Sequence, residues 1–401
     1  MYSLYFHIPF CTHRCAYCDF NTYAGQEELI PAYVDALIRE IELVGTGSGV
    51  VEAHTIFFGG GTPSLLSPKQ FESIFKAIRA NFTLTDDAEI TMEANPGTVS
   101  YENLLELRRI GINRISYGVQ SANTEELRML ERVHSFFDVI EAVTSARKAG
   151  FKNLNLDLIY GLPEQTLQTW QTTVKRILDL HPEHISAYAL TLEHGTPFGR
   201  WSSKGLLPLP DPDLAAEMYE WLSDTLEGNG YIQYEISNWA RNLASSGAQG
   251  RRDVYNNPSL ACRHNLQYWR GLPYLAFGAG GHGYAAGYRY SNVLRIKTYI
   301  ERLFHPSLSL PYPLSPATVN QHHQSRTDDM SEFMMTGLRL TEEGISEEEF
   351  HARFGQSVYD VYGKEIDELL KIGLIENVAG ERLKITKRGR LLGNQVFMRF
   401  V

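Results

Sequence analysis

Residues 5–18 read Tyr-Phe-His-Ile-Pro-Phe-Cys-Thr-His-Arg-Cys-Ala-Tyr-Cys and contain three of the four cysteines of the chain. The β-rich run Leu4–Ile8 comes directly before the CxxxCxxC spacing, which predicts a cysteine loop at the end of a first strand. Thiolates are the usual ligands of iron–sulfur clusters, and three of them hold three irons of a cubane while the fourth iron stays open. The stretch predicts a [4Fe–4S] site with Cys11, Cys15 and Cys18 as ligands.

A zinc site is the alternative for the same cysteines. Zinc favours four protein ligands and often a CxxC spacing, and His13 is a candidate fourth ligand only from an awkward position inside the loop. A disulfide framework would need more cysteines, more widely spread. The clustered thiols therefore favour the iron–sulfur interpretation.

The composition limits the classes of partner. The chain has 401 residues and a formal net charge of −10, so a nucleic-acid backbone is not expected as the main partner. It has no run of about 18 apolar residues, and its N-terminus lacks the basic start of a signal peptide. We expect a cytoplasmic protein that binds no nucleic acid.

Short β-rich runs alternate with helical patterns over the first half of the chain. Helix-start signals lie at Ser67-Pro68 and Ser135, and Gly111 and Gly150 stand where helices would end. Six strand–helix units in series imply a parallel sheet with right-handed crossovers. The sequence therefore predicts an α/β fold, a partial (β/α)₆ barrel. The β-rich runs are Leu4–Ile8, His54–Phe58, Glu89–Glu93, Arg114–Val119, Asn153–Ile159 and Ile185–Leu190.

The pattern changes after Trp201, and three domains are predicted: a core barrel at 1–204, an extension at 205–304 and a C-terminal domain at 305–401. Stretches 241–253 and 305–316 are typical of a surface loop and a linker. In the tail, helices, a capping box formed by Ser346 and Glu349, and two short strands indicate a winged-helix-like α+β domain. Its net charge of −4 over 328–401 favours a structural role over DNA binding.

The CxxxCxxC loop followed by a βα barrel resembles the radical S-adenosylmethionine (SAM) superfamily. Tyr5–Cys11 narrows the resemblance to the oxygen-independent coproporphyrinogen III oxidases and the heme chaperones related to them, and it runs through nearly the whole chain, including a tail like that of the oxidases. The resemblance implies that the open iron binds the amino and carboxylate groups of SAM. One electron from the cluster can then cleave the sulfonium bond and form a 5′-deoxyadenosyl radical.

Several residues match positions that the oxidase family uses for SAM. Glycines after the second strand allow a close backbone approach, Glu93 ends the third strand, and Arg132 is suited to a carboxylate. For any one charged residue a salt bridge is the alternative, although several at strand ends are harder to explain in that way. The predicted SAM-binding residues are Tyr5, Tyr17, Gly60, Gly61, Thr62, Glu93, Gln120, Arg132, Asp157 and Ala189.

The segment Cys262-Arg-His-Asn-Leu-Gln-Tyr-Trp269 resembles the HNxxYW motif of the heme chaperones. On a helix, His264 shares a face with Tyr268, and Asn265 shares one with Trp269. An imidazole can ligate heme iron and aromatic rings can pack on a porphyrin, with Cys262 as a second candidate ligand. From spacing alone, a buried helix with a hydrogen-bonded histidine and an ordinary buried cysteine is the favoured alternative.

One departure separates the two related families. The oxidases have a further cysteine two residues after the third, where this chain has Phe20. The sequence therefore favours a heme chaperone over an oxygen-independent coproporphyrinogen III oxidase, with radical-driven heme breakdown as a weaker option, and catalytic activity is left open. A second glycine-rich loop, Gly278–Gly283, resembles a chaperone segment and is a candidate for a ligand-facing role.

The resemblance also implies partners. A heme chaperone delivers heme to membrane-bound acceptors such as respiratory enzymes and receives it from a donor such as bacterioferritin. Peripheral contact with a membrane and the oligomeric state are left open by the sequence.

Overall fold

The computed structural model describes residues 1–242, 257–305 and 310–401 of the chain. These residues form two compact units, each assembled from two stretches: unit 1 comprises 1–222 and 273–322, and unit 2 comprises 223–272 and 323–401. The domain boundaries predicted after residues 204 and 304 divide the chain into consecutive segments, and they stay predictions. Residues 243–253 of the predicted loop at 241–253 and residues 306–309 of the predicted linker at 305–316 lie outside the described residues.

The helices and strands are numbered along the chain. The first half contains β1 Tyr2–Ile8, β2 Phe10–Cys11, β3 Tyr23–Ala24, α1 Ile30–Ser48, β4 Glu52–Gly60, α2 Pro68–Asn81, β5 Thr83–Ala94, α3 Tyr101–Ile110, β6 Arg114–Gln120, α4 Thr124–Met129, α5 Phe136–Lys148, β7 Leu154–Tyr160, α6 Leu167–Leu178, β8 His184–Ala189 and α7 Pro197–Ser203. The second half contains α8 Pro212–Gly228, β9 Ile232–Glu235, β10 Asn238–Ala240, α9 Arg263–Trp269, β11 Tyr274–Phe277, β12 His282–Ala285, β13 Tyr288–Asn292, α10 Ile296–Phe304, β14 Thr318–His323, α11 Arg326–Gly337, β15 Ile345–Ser346, α12 Glu347–Phe354, α13 Val358–Lys371, β16 Ile375–Val378, β17 Arg382–Ile385, α14 Lys387–Leu391 and α15 Gly393–Phe397.

A parallel sheet forms the centre of unit 1. Its strands lie in the order β14-β13-β12-β11-β1-β4-β5-β6-β7-β8, and β1 and β4 to β8 pair in parallel with helices between them. These six strands coincide with the β-rich runs of the sequence, so the predicted partial (β/α)₆ barrel is confirmed among the described residues. Strand β11 adds a further parallel pair on the other side of β1, and β12 and β13 continue it antiparallel.

The two faces of the barrel strands differ in chemistry. Phe6 pairs with Phe58 and Phe277 on the face that packs against helices, and the Phe6 ring stacks on each of them at 5.0 Å. On the other face Ser116 pairs with Asn155, so buried polar groups line the inside of the barrel. Strands alternate with period two, so each strand separates an apolar outer surface from a polar inner one.

Local signals start and end the helices between the strands. Ser67 and Ser135 form capping boxes with Gln70 and Asp138, which satisfy N–H groups at the first turns of α2 and α5. Gly111, with φ of 132°, follows α3 in a conformation that favours glycine. These ends match the signals in the sequence.

A buried carboxylate fixes the turn between β11 and β12. The Glu40 side chain of α1 accepts from Gly278 N at 2.8 Å, Asn292 Nδ2 at 2.8 Å, Tyr299 Oη at 2.6 Å and Ser315 Oγ at 2.6 Å. Burial raises the pKa of Glu40, and the four donors oppose that shift. The network joins α1, β13 and α10 to the turn.

That turn belongs to the second glycine-rich loop of the sequence. Its first glycine, Gly278, packs against residues that precede it in the chain. A Cβ on Gly278 would lie 2.4 Å from the carbonyl oxygen of His7 and 2.5 Å from Tyr33 Oη. Asn21 Nδ2 donates to Ala279 O at 3.1 Å, so the loop also braces the segment that follows the cysteines. The ligand-facing role of Gly278–Gly283 stays a prediction.

Unit 2 contains the predicted winged-helix-like domain. Its small sheet has the order β15-β17-β16, and α11, α12 and α13 pack a shared apolar core that includes Met334, Phe350 and Ile366. Ser346 caps α12 by accepting from Glu349 N at 3.3 Å. The reciprocal half of the predicted capping box is wrong, because the Glu349 carboxylate instead accepts from Arg382 at 3.1 Å. Within the described ranges no helix is long and apolar enough to cross a membrane.

Candidate cluster and cofactor site

The cysteine loop follows β1 at the carboxyl end of the parallel strands, the edge at which barrel proteins carry their sites. Cys11 is buried, whereas Cys15 and Cys18 are partly exposed. The loop is held by Cys18 N donating to Cys15 O at 3.1 Å and by Phe198 N of α7 donating to Ala16 O at 3.0 Å. Cys11 therefore lies in the core, whereas Cys15 and Cys18 are partly accessible to solvent.

The three thiols lie close enough to influence one another electrostatically. Burial raises the pKa of Cys11, the Thr62 hydroxyl opposes this, and the charges of Cys18 and Cys15 raise it further. Among the described residues no three His, Cys, Asp or Glu side chains converge to hold one metal ion. A cubane cluster does not need such convergence, because each thiolate binds a different iron.

The glycine-rich turn after β4 packs against the strand that leads into the loop. Gly61 N donates to Ile8 O at 2.9 Å, and Thr62 N donates to Phe10 O at 2.8 Å. A Cβ on Gly60, whose φ is 111°, would lie 2.5 Å from the His7 ring. In this structure, the close approach that these glycines permit is to the protein's own first strand.

A chain of side-chain contacts connects two of the cysteines across three strand ends. The Thr62 hydroxyl donates to Cys11 Sγ at 3.6 Å, and Asn95 Nδ2 donates to Thr62 Oγ1 at 3.0 Å. Arg132 Nη2 donates to Asn95 Oδ1 at 2.6 Å, and its Nη1 donates to Cys15 Sγ at 3.5 Å. Thr62, Asn95 and Arg132 therefore form one hydrogen-bonded connection between Cys11 and Cys15.

Two features around Arg132 point to a further polar ligand. Its Nη2 also donates to Gly118 O at 2.6 Å, while its buried Nε has no hydrogen-bond partner among the described residues. Gln120, at the end of β6, has a φ of 67° next to a register shift between Gly118 and Gln120. A non-glycine residue in that conformation is uncommon and is more frequent at functional sites.

Acidic groups line the barrel below the loop. Glu93 Oε2 accepts from Gly60 N at 3.0 Å, and burial, together with the charge of Asp157, raises the pKa of Glu93 to about 8. Asp157 accepts from Ser116 and Asn155, each at 2.8 Å, and burial raises its pKa too. Two buried carboxyl groups at this edge suit a ligand that brings positive charge.

The remaining predicted residues of unit 1 lie around the same edge. Tyr5 in β1 donates to His7 Nδ1 at 3.0 Å. Tyr17 packs near Phe198, with ring centroids 6.5 Å apart, and Ala189 is exposed at the end of β8. The structure thus brings the predicted SAM residues to one face.

Sequence reasoning missed Asn95, which connects Thr62 to Arg132. It also assigned no role to His7, whose Nε2 lies 2.9 Å from Asn21 O and which therefore joins the two ends of the cysteine loop. An amide between Glu93 and a proline carries no signature of its own. Only the pairing of β4, β5 and β6 shows what it contacts.

The HNxxYW segment lies in unit 2 on α9. His264 is 1% exposed, its Nε2 lies 2.8 Å from Tyr268 Oη, and the two rings meet edge to face at 4.9 Å. Cys262 is fully buried at the start of the helix. Asn265 and Trp269 are half-buried, and Trp269 Nε1 has no hydrogen-bond partner among the described residues. The geometry of His264 matches that of a hydrogen-bonded core histidine.

Comparison with known proteins finds matching families and full-length relatives of the chain. The radical SAM superfamily matches residues 5–177, and the HemN C-terminal domain matches residues 324–392. The protein named heme chaperone HemW from Bacillus subtilis (strain 168) is 37% identical over 402 residues, covering 100% of this chain and 99% of the relative. The chain belongs to the HemW family of radical SAM proteins. The HemW protein of Escherichia coli (strain K12) is 36% identical over 402 residues, covering 100% of this chain and 98% of that protein.

The fold also has a solved counterpart. The structure of coproporphyrinogen III oxidase (HemN) from Escherichia coli, described as a radical SAM enzyme, has a TM-score of 0.81 and 24% sequence identity. It covers 99% of this chain and 89% of that one, which shows a shared fold. Membership in the superfamily implies a [4Fe–4S] cluster and SAM. The three neighbouring thiols and the orphaned Arg132 Nε fit these groups.

Replacing Gly61 with alanine should destabilise the fold. The new Cβ would lie 2.6 Å from Phe10 O and 2.9 Å from Ile8 O, both backbone atoms, and overpacking of this kind costs about 1–3 kcal/mol. Urea unfolding of Gly61→Ala should show that loss. Gly195→Ala is the control, because its Cβ would meet nothing within 4 Å; equal stability of the two variants would contradict the packing role.

The stability of the cluster-free protein should depend on Glu93. Its folded pKa of about 8 lies above the ordinary value of about 4.3. The protonated form therefore stabilises the fold at low pH, and this contribution is lost as pH rises through about 8. We expect up to about 1.4 kcal/mol of this loss per pH unit inside the window.

Chemical unfolding between pH 5 and 8 measures the loss, and Glu93→Gln should flatten the dependence. Glu102→Gln, which changes an exposed carboxylate on α3, is the matched control. If the free energy of unfolding of Glu93→Gln depended on pH as strongly as that of the wild type, the Glu93 carboxyl group would not be the source of the pH dependence.

Proposed function

We propose that the protein is a heme chaperone that binds heme, a [4Fe–4S] cluster and SAM, and that transfers the heme to other proteins. The full-length similarity to the two HemW proteins is the observation that carries this proposal. The position that holds a further cysteine in the oxidases is occupied here by Phe20, whose side chain is 63% exposed. Phe20 offers no thiol, which supports chaperone over oxidase.

In this proposal Cys11, Cys15 and Cys18 hold the cluster. When bound, the cluster supplies an open iron and an electron to SAM. Arg132 pairs with the carboxylate of SAM through the side of the guanidinium that carries the orphaned Nε, and Asn95 orients it. Glu93 and Asp157 hold the positively charged and hydroxyl parts. Supporting positions at the same edge are Tyr5, Tyr17, Gly60, Gly61, Thr62, Gln120 and Ala189.

Heme binding is proposed on α9, with His264 as the axial ligand and Cys262 as the second candidate. The hydrogen bond between His264 Nε2 and Tyr268 Oη occupies the nitrogen that would reach iron. His264 can ligate through Nε2 only if Tyr268 turns away. Asn265 and Trp269, both half-buried, supply polar and aromatic contacts.

The acceptors are proposed to be membrane-bound respiratory proteins, and the donor a heme store such as bacterioferritin. We place this exchange on the cytoplasmic side, with peripheral contact between protein and membrane. This part of the proposal rests on the family resemblance, and heme transfer to isolated membranes from heme-loaded protein is the direct test.

A radical coproporphyrinogen III oxidase is the alternative activity. The shared fold with HemN is the observation in its favour, and it concerns architecture alone. Conversion of coproporphyrinogen III to protoporphyrinogen IX by the anaerobic, reduced protein at ordinary enzymatic rates would make the alternative the better proposal.

The cluster prediction is tested by metal analysis. Anaerobic reconstitution should give about four iron and four sulfide per chain. Cys11→Ala, Cys15→Ala and Cys18→Ala should each lose the brown chromophore, whereas Cys262→Ser should keep it. Stoichiometric zinc without sulfide would contradict the assignment.

The heme prediction is tested by absorbance titration. His264→Ala should shift or abolish the Soret band of added heme and leave the cluster absorbance unchanged, because the ligand sets the spectrum. Trp269→Ala should lower affinity more than it alters the spectrum, since packing supplies much of the affinity. Cys262→Ser is compared in the same way. If neither His264→Ala nor Cys262→Ser has an effect, the motif is structural.

A further inference from the structure

A bulge ends β6 at the edge of the barrel that carries the proposed SAM residues. Gly118 pairs with Asp157 of β7, and Gln120 pairs with the next residue of β7, Leu158, so Val119 is an extra residue of β6 at this step. Bulges of this kind re-aim a side chain and are frequent next to active sites. Gln120 follows directly and has a φ of 67°. The bulge therefore sets the direction of a residue assigned to SAM.

The Gln120 side chain folds back over Gly118. A Cβ on Gly118 would lie 3.0 Å from Gln120 Nε2 and 3.3 Å from Arg132 Nη2. It would also lie 3.2 Å from Asn95 Oδ1. Three polar side chains thus converge over one backbone position that has no side chain of its own.

Two side chains from the segment after α4 hold the bulge by its carbonyl groups. Arg132 Nη2 donates to Gly118 O at 2.6 Å, as described above, and His134 Nε2 donates to Val119 O at 3.1 Å. Val133, between the two donors, is 77% exposed. The segment therefore turns Arg132 and His134 towards β6 and the residue between them towards solvent.

The end of α4 fixes the start of this segment. Arg132 N donates to Leu127 O at 2.9 Å, and Glu131 N donates to Arg128 O at 3.0 Å. Glu131 has a φ of 54°. These two bonds and the left-handed residue form a Schellman motif, which ends a helix in a defined geometry.

His134 has no part in the SAM assignments, although it is only 6% exposed. Because a carbonyl oxygen only accepts, its Nε2 carries the proton in the bond to Val119. Burial, together with the charge of Arg132, lowers the pKa of His134 to about 4, so the ring is neutral near pH 7. Its Nδ1 has no hydrogen-bond partner among the described residues. In the described part of the chain, the ring is therefore hydrogen-bonded to the bulge alone.

We propose that His134 is a positioning residue for SAM, which holds the bulge of β6 through Val119 and thereby directs the Gln120 amide to the side of Gly118 where Arg132 lies. His134 does not touch SAM in this proposal, and its effect reaches the ligand through Gln120. The proposal deepens the proposed function: it rests on the SAM site assigned there and is independent of heme.

The test is a calorimetric titration of full-length, cluster-loaded protein with SAM. His134→Leu removes the donor and keeps a buried side chain, so it should weaken SAM binding by about tenfold while the iron and sulfide content stays that of the wild type. His134→Gln should restore most of the affinity, because its amide can donate to Val119 O.

Two control variants should bind SAM like the wild type. Val133→Ala shortens the exposed side chain between the two donors. Arg79→Leu also removes a side-chain donor to a backbone carbonyl, the bond from Nη2 to Ile110 O at 2.7 Å. That bond lies before the start of β6, at the opposite end of the strand from Gln120.

A second comparison keeps the test decisive if His134→Leu does not fold. His134→Asn keeps a polar side chain, but its amide is too short to take the place of Nε2. It should therefore lose affinity for SAM relative to His134→Gln, by about tenfold.

A double-mutant cycle separates positioning from a general loss of structure. In a Gln120→Ala background, His134→Leu should change SAM affinity by about twofold or less, because a residue that acts through Gln120 loses its effect once that amide is gone. A histidine with only a structural role would lower the affinity by the same factor in both backgrounds.

The outcomes distinguish this role from the chaperone function. Wild-type affinity in folded His134→Leu and His134→Asn, an equal loss in both backgrounds, or loss of the cluster from the variants would overturn the positioning role and leave heme binding untouched. A wild type that binds no SAM would overturn the role together with the SAM site. A coupled loss of SAM affinity in a protein that forms no heme complex would support the role and count against the chaperone function.

Discussion

The backbone N–H groups of Gly61 and Thr62 donate to the carbonyl oxygens of Ile8 and Phe10, and this contact joins the end of β4 to the strand that carries the first cysteine. Peptide groups this close leave no room for a side chain at position 61. Once the turn is seated, the Thr62 hydroxyl reaches Cys11, and Asn95 and Arg132 extend the connection to Cys15. The loop therefore takes its geometry from the sheet, not from its own few residues.

The inner surface of the barrel sets a second constraint. Polar side chains inside a protein need partners, and here they find them across neighbouring strands, as Ser116, Asn155 and Asp157 do. The carboxyl groups of Glu93 and Asp157 influence one another, and burial raises the pKa of each more than the charge of Arg114 lowers it. A cationic ligand would ionise both and be bound more tightly for it. An apolar lining could not favour a cationic ligand over a neutral one in this way.

Much of the architecture follows from local pattern, and much of the site does not. The six parallel strands and the cysteine loop follow from β-rich runs and from CxxxCxxC spacing, both of which are local. Asn95 was missed because its two partners lie 33 and 37 residues away. His264 shows the converse: spacing put it on the same face of α9 as Tyr268, but only the structure shows that each occupies the other's hydrogen-bonding group. Glu349 was assigned to its own cap because Arg382, its partner, is distant in sequence.

The position of β1 in the sheet has a consequence for how the chain is made. β1 precedes the other strands of this sheet along the chain, yet it is an inner strand, with β4 on one side and β11 on the other. Phe6 can meet Phe58 soon after β4 has been translated, but it can meet Phe277 only once β11 has been translated. At about 5–20 residues per second, that edge stays unpaired for tens of seconds. Through that interval the nascent protein has an unpaired strand edge beside its cysteines, and an unpaired edge can pair with the wrong strand. The pairing of β11 with β1 is the step that covers this edge.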